Sequence, residues 1–146
     1  MYRNLTVREN LVMMTPPSSV AEGIERATAT FPILGKRLTQ TAGTLSGGEQ
    51  QMLALSAAYL RDPSVVLVDE PSLGLAPIIV DTVFQFLETL RAERVSLLLV
   101  DQYATRALGI ADDADILRRG SIVYSGPAAE LRDGNVFNRY IGEDTK

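Results

Sequence analysis

The 146-residue chain contains no cysteine and no histidine. Without cysteine it builds no disulfide framework and offers no thiolate to a metal. Without histidine it lacks the commonest metal ligand and the commonest proton-transfer side chain. Serine–histidine and cysteine–histidine nucleophile systems are therefore excluded, and any proton transfer falls to a carboxylate. Long apolar runs are also missing. Residues 95–100, among the longest, are strand-sized and far short of the ~18 residues that span a bilayer. The N-terminus has no basic-then-apolar leader pattern, so the expected location is the cytoplasm. An excess of positive charge is absent as well. The net charge of −4 argues against a nucleic-acid partner, because phosphate backbones are met by basic faces.

What is present fits a soluble α/β domain. The apolar fraction is 46% and the charged fraction 22%, ordinary values for a globular protein long enough to bury a core. The charge is uneven. Residues 1–44 carry five basic and three acidic side chains, and residues 45–146 carry nine and fifteen. This asymmetry points to two sub-regions with different surfaces.

The first sixty residues read as helical. Thr6-Val7-Arg8-Glu9 is a capping-box pattern that opens a short helix, which should stop before Pro16-Pro17. Ser19-Val20-Ala21-Glu22 repeats the pattern before a helix carrying Val20, Ile24, Ala27 and Phe31 on one face, ended by Pro32. Residues 33–44 read as loop. Ser46-Gly47-Gly48-Glu49 is a third capping box and starts a helix over roughly 47–61, closed by Asp62-Pro63. Beyond it the period changes. Residues 65–68 are a β-branched apolar run that reads as a strand buried on both faces. A helix follows over 78–93 with Val80, Val83, Phe84, Leu87 and Leu90 as its apolar stripe. Residues 96–100 read as a second buried strand. Ala104, Ala107, Leu108 and Ala111 mark another helix, residues 115–126 a hairpin with Gly120 in its turn, and residues 127–141 a closing helix. Strand, helix, strand, helix implies a parallel sheet covered by helices.

Two stretches carry chemistry. The first is "TLSGGEQQ", residues 44–51. On one reading Ser46 and Glu49 merely cap a helix. On the other, glycines at a helix start let free amides approach an anion. The second is the strand end at Asp69-Glu70, matched by Asp101-Gln102 after the other strand. In parallel sheets ligands bind beyond the carboxyl ends of the strands. There, one carboxylate can hold Mg²⁺, largely through water, and a second can orient a water for attack on a γ-phosphate. Alternatively the two carboxylates only cap a strand at a solvated edge.

In combination, "LSGGEQQ" and "VVLVDEP" (residues 65–71) resemble the signature motif and the Walker B motif of the nucleotide-binding subunits of ABC transporters. Within that family, "LTVRENL", "AGTLSGGEQQML", "DEPSLGLAP", the strand ending "VDQ" and the closing "YIG" are similar to the ATP-binding subunits of branched-chain amino acid importers. The resemblance spans essentially the whole chain. It implies a P-loop NTPase-like ABC ATPase fold: a parallel sheet with flanking helices in residues 62–146, plus a helical subdomain in residues 1–61. It implies ATP and Mg²⁺ as cofactors. It implies two kinds of partner, a second ATPase subunit joined head to tail and transmembrane permease subunits that hold the chain on the inner face of the membrane. By the same resemblance, Ser46, Gly47, Gly48 and Glu49 face the partner's ATP, Asp69 serves Mg²⁺, Glu70 the attacking water and Gln102 the γ-phosphate.

Three positions depart from the family pattern: Gln102 stands where histidine is common, Ala76 where an aspartate usually precedes the proline, and Ala57 where arginine is frequent. The phosphate-binding motif G-x-x-x-x-G-K-[ST] does not occur in these residues. The expectation is therefore the C-terminal part of a subunit, with the N-terminal part of the fold absent through a truncated gene, a misplaced start or deliberate shortening. Asp69 and Glu70 would then lack a phosphate in the same chain. Two other functions stay open: a non-catalytic module that completes a partner's ATP site, and an inert product of a truncated gene.

Overall fold

The computed structural model describes residues 1–101, 104–133 and 140. The chain divides into two compact units, Met1–Val100 and Asp101–Lys146.

In the first unit, helix α1 (Val7–Met14) starts at the Thr6 box as expected. The Thr6 hydroxyl accepts from the Glu9 amide, and Glu9 accepts from the Thr6 amide at 2.7 Å. It stops at Thr15, whose hydroxyl donates to the Leu11 carbonyl at 2.8 Å. Helix α2 (Val20–Thr30) begins where the sequence places it, but the capping box at Ser19 does not form. A 3₁₀ turn at Pro17–Ser19 runs directly into the helix, and the Ser19 hydroxyl is turned back to the Pro16 carbonyl. The expected loop over 33–44 also contains helix. Pro32 ends α2 but occupies the first position of a one-turn helix α3 (Pro32–Gly35), where a missing N–H costs nothing. A 3₁₀ turn occupies Ala42–Thr44.

Helix α4 (Gly47–Leu60) matches its expected span. Asp62 then turns the chain with φ +44° into strand β1 (Val65–Asp69). Helix α5 (Pro77–Ala92) buries Val83, Phe84, Phe86, Leu87 and Leu90. Strand β2 (Ser96–Val100) lies parallel to β1, with Val65 opposite Ser96 and Asp69 opposite Val100. The core joins Val7, Leu11, Phe31, Leu34 and Leu53 with the α5 stripe. Phe86 is its hub, 5.1 Å from the Phe31 ring and edge-on to Tyr59 at 5.8 Å. The Arg26 guanidinium stacks 4.4 Å above Tyr59 and pairs with Asp62 at 3.1 Å, which ties α2 to the turn after α4.

The two strands are not buried on both faces. Val66 and Val68 are 7% exposed, whereas Leu67 on the opposite face is 72% exposed and Leu98 beside it 59%. Val65 and Val100 are exposed on that face as well. Helices cover one side of this two-stranded sheet, and no described residue covers the other.

In the second unit, helix α6 (Ala104–Ile110) and a hairpin of β3 (Asp113–Arg118) and β4 (Ser121–Pro127) enclose a small core of Leu108, Ile116, Ala128 and Leu131. Arg119 and Gly120 form the turn, with φ of +50° and +81°. Positive φ at both positions is what a two-residue turn needs to follow the strand twist. Tyr124 packs on Tyr140 at 5.1 Å and donates to the Pro127 carbonyl at 2.9 Å, in keeping with a packing residue. The closing helix expected over 127–141 begins as a 3₁₀ turn, Ala128–Leu131. Most of its remainder lies outside the described residues.

Candidate functional site

The glycine turn is a formed and tightly held helix start. The Ser46 amide donates to Glu49 Oε2 at 2.9 Å and the Ser46 hydroxyl donates to the same oxygen at 3.0 Å. In return the Ser46 hydroxyl accepts from the Glu49 amide at 3.4 Å. Arg37 Nε lies 3.4 Å from Glu49 Oε1, and Gln50 Nε2 donates to the Leu45 carbonyl at 3.0 Å. The Ser46 amide holds the Glu49 carboxyl below its usual range; partial burial opposes this, and the Ser46 hydroxyl and Arg37 add to it. The structural reading of the motif is thus satisfied in full.

Capping leaves two things over. The amides of Gly47 and Gly48 have no hydrogen-bond acceptor among the described residues. These are the donors that every helix start presents, at the positive end of the dipole. Neither glycine has a positive φ, so backbone conformation does not require either. A Cβ on Gly47 would meet nothing within 4 Å, and the glycine there keeps an open approach to exposed amides. Gly48 differs: a Cβ would fall 2.8 Å from Ile79 Cγ2 and 3.1 Å from its Cγ1.

The second candidate group sits at the carboxyl end of β1. Asp69 is the last residue of the strand and is exposed. Glu70, also exposed, takes φ +44°, the left-handed region that side-chain-bearing residues rarely adopt. Two features hold it there. Its amide donates to the Val100 carbonyl at 2.7 Å, and its carbonyl accepts from Leu73 at 3.2 Å in a turn over buried Pro71 and Ser72. A strained backbone kept in place by its surroundings is a common companion of function. Here it turns the chain sharply just past the strand, with the carboxylate in solvent.

Asp101 follows β2 and belongs to the second unit, and Gln102 lies outside the described residues. Tyr103 does too. Among the described residues no three acidic side chains gather as a metal cage. One or two exposed carboxylates fit Mg²⁺ in the form in which it keeps its waters and takes phosphate oxygens as further ligands. Two surface clefts, of about 180 Å³ beside Tyr59, Asp62 and Glu93 and about 290 Å³ beside Met13, Thr15 and Arg61, are lined by neither the glycine turn nor the strand-end carboxylates. No helix among the described residues is long and apolar enough to cross a membrane.

Sequence reasoning found the turn and the strand end but missed two neighbours. Arg37 braces Glu49, and Ile79 crowds Gly48. Both come from elements distant in the chain, and no local pattern announces either.

A parallel strand–helix–strand unit with a capped glycine turn and strand-end carboxylates fits the α/β class of nucleotide-binding ATPase cassettes. The family model described as ABC transporter matches residues 1–73, half of the chain, and the chain belongs to that family. It is 44% identical over 145 residues to the high-affinity branched-chain amino acid transport ATP-binding protein BraG of Pseudomonas aeruginosa, covering 97% of this chain and 62% of BraG. It is 37% identical over 142 residues to the probable branched-chain amino acid transport ATP-binding protein LivF of Archaeoglobus fulgidus, covering 94% of this chain and 60% of LivF. The chain thus spans about three-fifths of the length of these relatives. Its fold matches a crystal structure of an ABC transporter ATP-binding cassette in the ADP conformation, with TM-score 0.72 and 24% identity over 97% of this chain and 64% of that one. A second, an ATP-binding subunit of an ABC transporter, aligns with TM-score 0.79 and 21% identity over 96% of this chain and 64% of that one.

Proposed function

We propose that this chain is the signature- and Walker B-bearing part of the ATP-binding subunit of an ABC importer for branched-chain amino acids. In this reading the turn at Ser46, Gly47 and Gly48 grips the terminal phosphate of an ATP held by a second ATPase subunit, head to tail, while Glu49 keeps the turn in shape. The observation that carries the proposal is the open approach to Gly47, where two free amides and an exposed serine hydroxyl meet at a helix start. Such a start binds phosphate through directed N–H groups and a favourable dipole.

Asp69 would hold Mg²⁺ largely through water, and the ion would neutralise charge on the phosphates. Glu70 orients the attacking water, and Gln102 donates a hydrogen bond to the γ-phosphate. These three act only when a phosphate-binding loop, not contained in these residues, is supplied. The helices of residues 6–31 dock on permease subunits and hold the assembly at the inner face of the cell membrane, in the cytoplasm. Residues 1–61 form the helical subdomain and residues 62–146 the ATPase core in this assignment. The likeness to BraG and LivF, both branched-chain amino acid transport ATP-binding proteins, supports the substrate class.

A second reading keeps the turn but drops catalysis: the chain completes a partner's ATP site without hydrolysing its own. These residues hold no G-x-x-x-x-G-K-[ST] pattern, so within them the turn can serve only a nucleotide held elsewhere. ATP hydrolysis by the chain paired with an intact subunit separates the two. In Gly47→Asp the added Cβ has no neighbour within 4 Å, and the carboxylate set against the phosphate should abolish the gain in hydrolysis under both readings. Glu70→Gln should matter only if this chain's own strand end takes part. A gain kept in full by Gly47→Asp, with the fold intact, would reject the role of the turn in both readings, and no gain from the parent chain would leave the inert product.

A further inference from the structure

The two signature glycines are surrounded differently. Around Gly47 there is empty space, and around Gly48 there is Ile79. Ile79 occupies the first turn of α5, where Pro77 opens the helix and the Ile79 amide donates to the Ala76 carbonyl at 2.9 Å. A β-branched side chain in a helix has one strongly preferred χ1 rotamer, so it cannot swing aside cheaply. The distances of 2.8, 3.1 and 3.5 Å from an ideal Cβ on Gly48 to three Ile79 carbons leave no room for a methyl. The same α5 follows the loop that leaves the Asp69-Glu70 turn, and Ile78 next to it is exposed.

From this geometry we infer that Ile79 is a positioning residue: its side chain seats the amide turn at Ser46–Gly48, and glycine is demanded at 48 by this neighbour within the chain. The inference rests on the proposed role of the turn and deepens it. The start of α4 is held at one end by the Ser46–Glu49 box and underneath by Ile79. The turn's height is thereby set by the element that continues from the strand-end carboxylates. A movement of α5 is passed to the amides by direct contact between packed atoms. Gly47, with no such neighbour, is left for the ligand.

A double-substitution cycle tests this. Thermal midpoints and amide exchange at 47–50 are measured on the chain, and ATP hydrolysis on the chain paired with an intact subunit. Gly48→Ala should lower the midpoint by roughly 3 °C and, by displacing the turn, lower hydrolysis on the order of tenfold to a hundredfold. Ile79→Ala should speed exchange at 47–50 and lower hydrolysis through loss of the seat. The double variant should regain most of both, since the new methyl fills the space vacated by the isoleucine; contacting residues couple in this way. Additive losses would overturn the inference. So would recovery of the midpoint without recovery of hydrolysis, which would mean that the nucleotide alone requires the glycine. Gly47→Asp probes the nucleotide reading without touching Ile79, so failure there is told apart from failure here.

Discussion

Removing the Ser46 hydroxyl separates the structural task of the signature turn from its proposed chemical one. Ser46→Ala deletes the hydroxyl that accepts from the Glu49 amide at 3.4 Å and donates to Glu49 Oε2 at 3.0 Å. It leaves the stronger bond, Ser46 amide to Glu49 Oε2 at 2.9 Å, in place. Loss of a serine N-cap costs about 0.5–2 kcal/mol. The long accepted bond puts this site near the lower end, about 0.5–1 kcal/mol. Glu49→Gln removes less geometry but all of the charge: the favourable end of the helix dipole, worth about 0.3–1 kcal/mol, and the partly exposed pair with Arg37.

The two variants differ in pH dependence. The folded Glu49 carboxyl is depressed, first by the Ser46 amide, so the folded state binds its proton more weakly than the unfolded state. The stabilisation from this carboxylate is fully present above the unfolded value and is lost as pH falls through the folded one. Urea unfolding should therefore find Glu49→Gln less stable than the parent by a constant amount at neutral pH. The gap should close in acid, below about pH 4.5. Ser46→Ala should keep most of its deficit down to the same pH. A gap for Glu49→Gln that persists unchanged to pH 3 would refute the electrostatic account of the box. Equal stability of Ser46→Ala and parent would refute the cap itself.

Two further outcomes follow from the packing. The exposed Leu67 and Leu98 on the bare side of the β1–β2 sheet should make the chain bind apolar dyes and associate at high concentration. Leu67→Ser with Leu98→Ser should reduce both and shift stability by only about 0.5 kcal/mol; a soluble monomer that binds no dye before substitution counts against this. At the Arg26–Tyr59–Asp62 junction the ion pair joins side chains 32% and 75% exposed, worth about 0.5 kcal/mol. The stacked guanidinium adds about 0.5–1 kcal/mol. Arg26→Ala should thus cost about 1–1.5 kcal/mol and Asp62→Asn about 0.5 kcal/mol, because asparagine tolerates φ +44°. Only the Asp62 loss should vanish in 1 M salt, and a salt-insensitive Asp62→Asn would contradict the pair.

The sequence by itself determined the local features: where α1, α4 and α5 begin, that β1 and β2 are parallel strands joined by a helix, and that Gly120 turns a hairpin. Each is dictated by neighbours a few residues away, through caps, apolar period or the φ a turn requires. It also determined the family, because an ordered set of motifs is specific where single motifs are not. Tertiary structure decided the rest. An apolar strand announces that it tolerates cover on both faces; whether cover arrives depends on other layers, and no described residue covers Leu67 and Leu98. Ser19 carries a capping pattern that a preceding 3₁₀ turn cancels, because the hydroxyl already has a partner. That Gly48 is crowded and Gly47 open depends on where Ile79 falls in space, and packing between distant segments leaves no periodic trace in the chain.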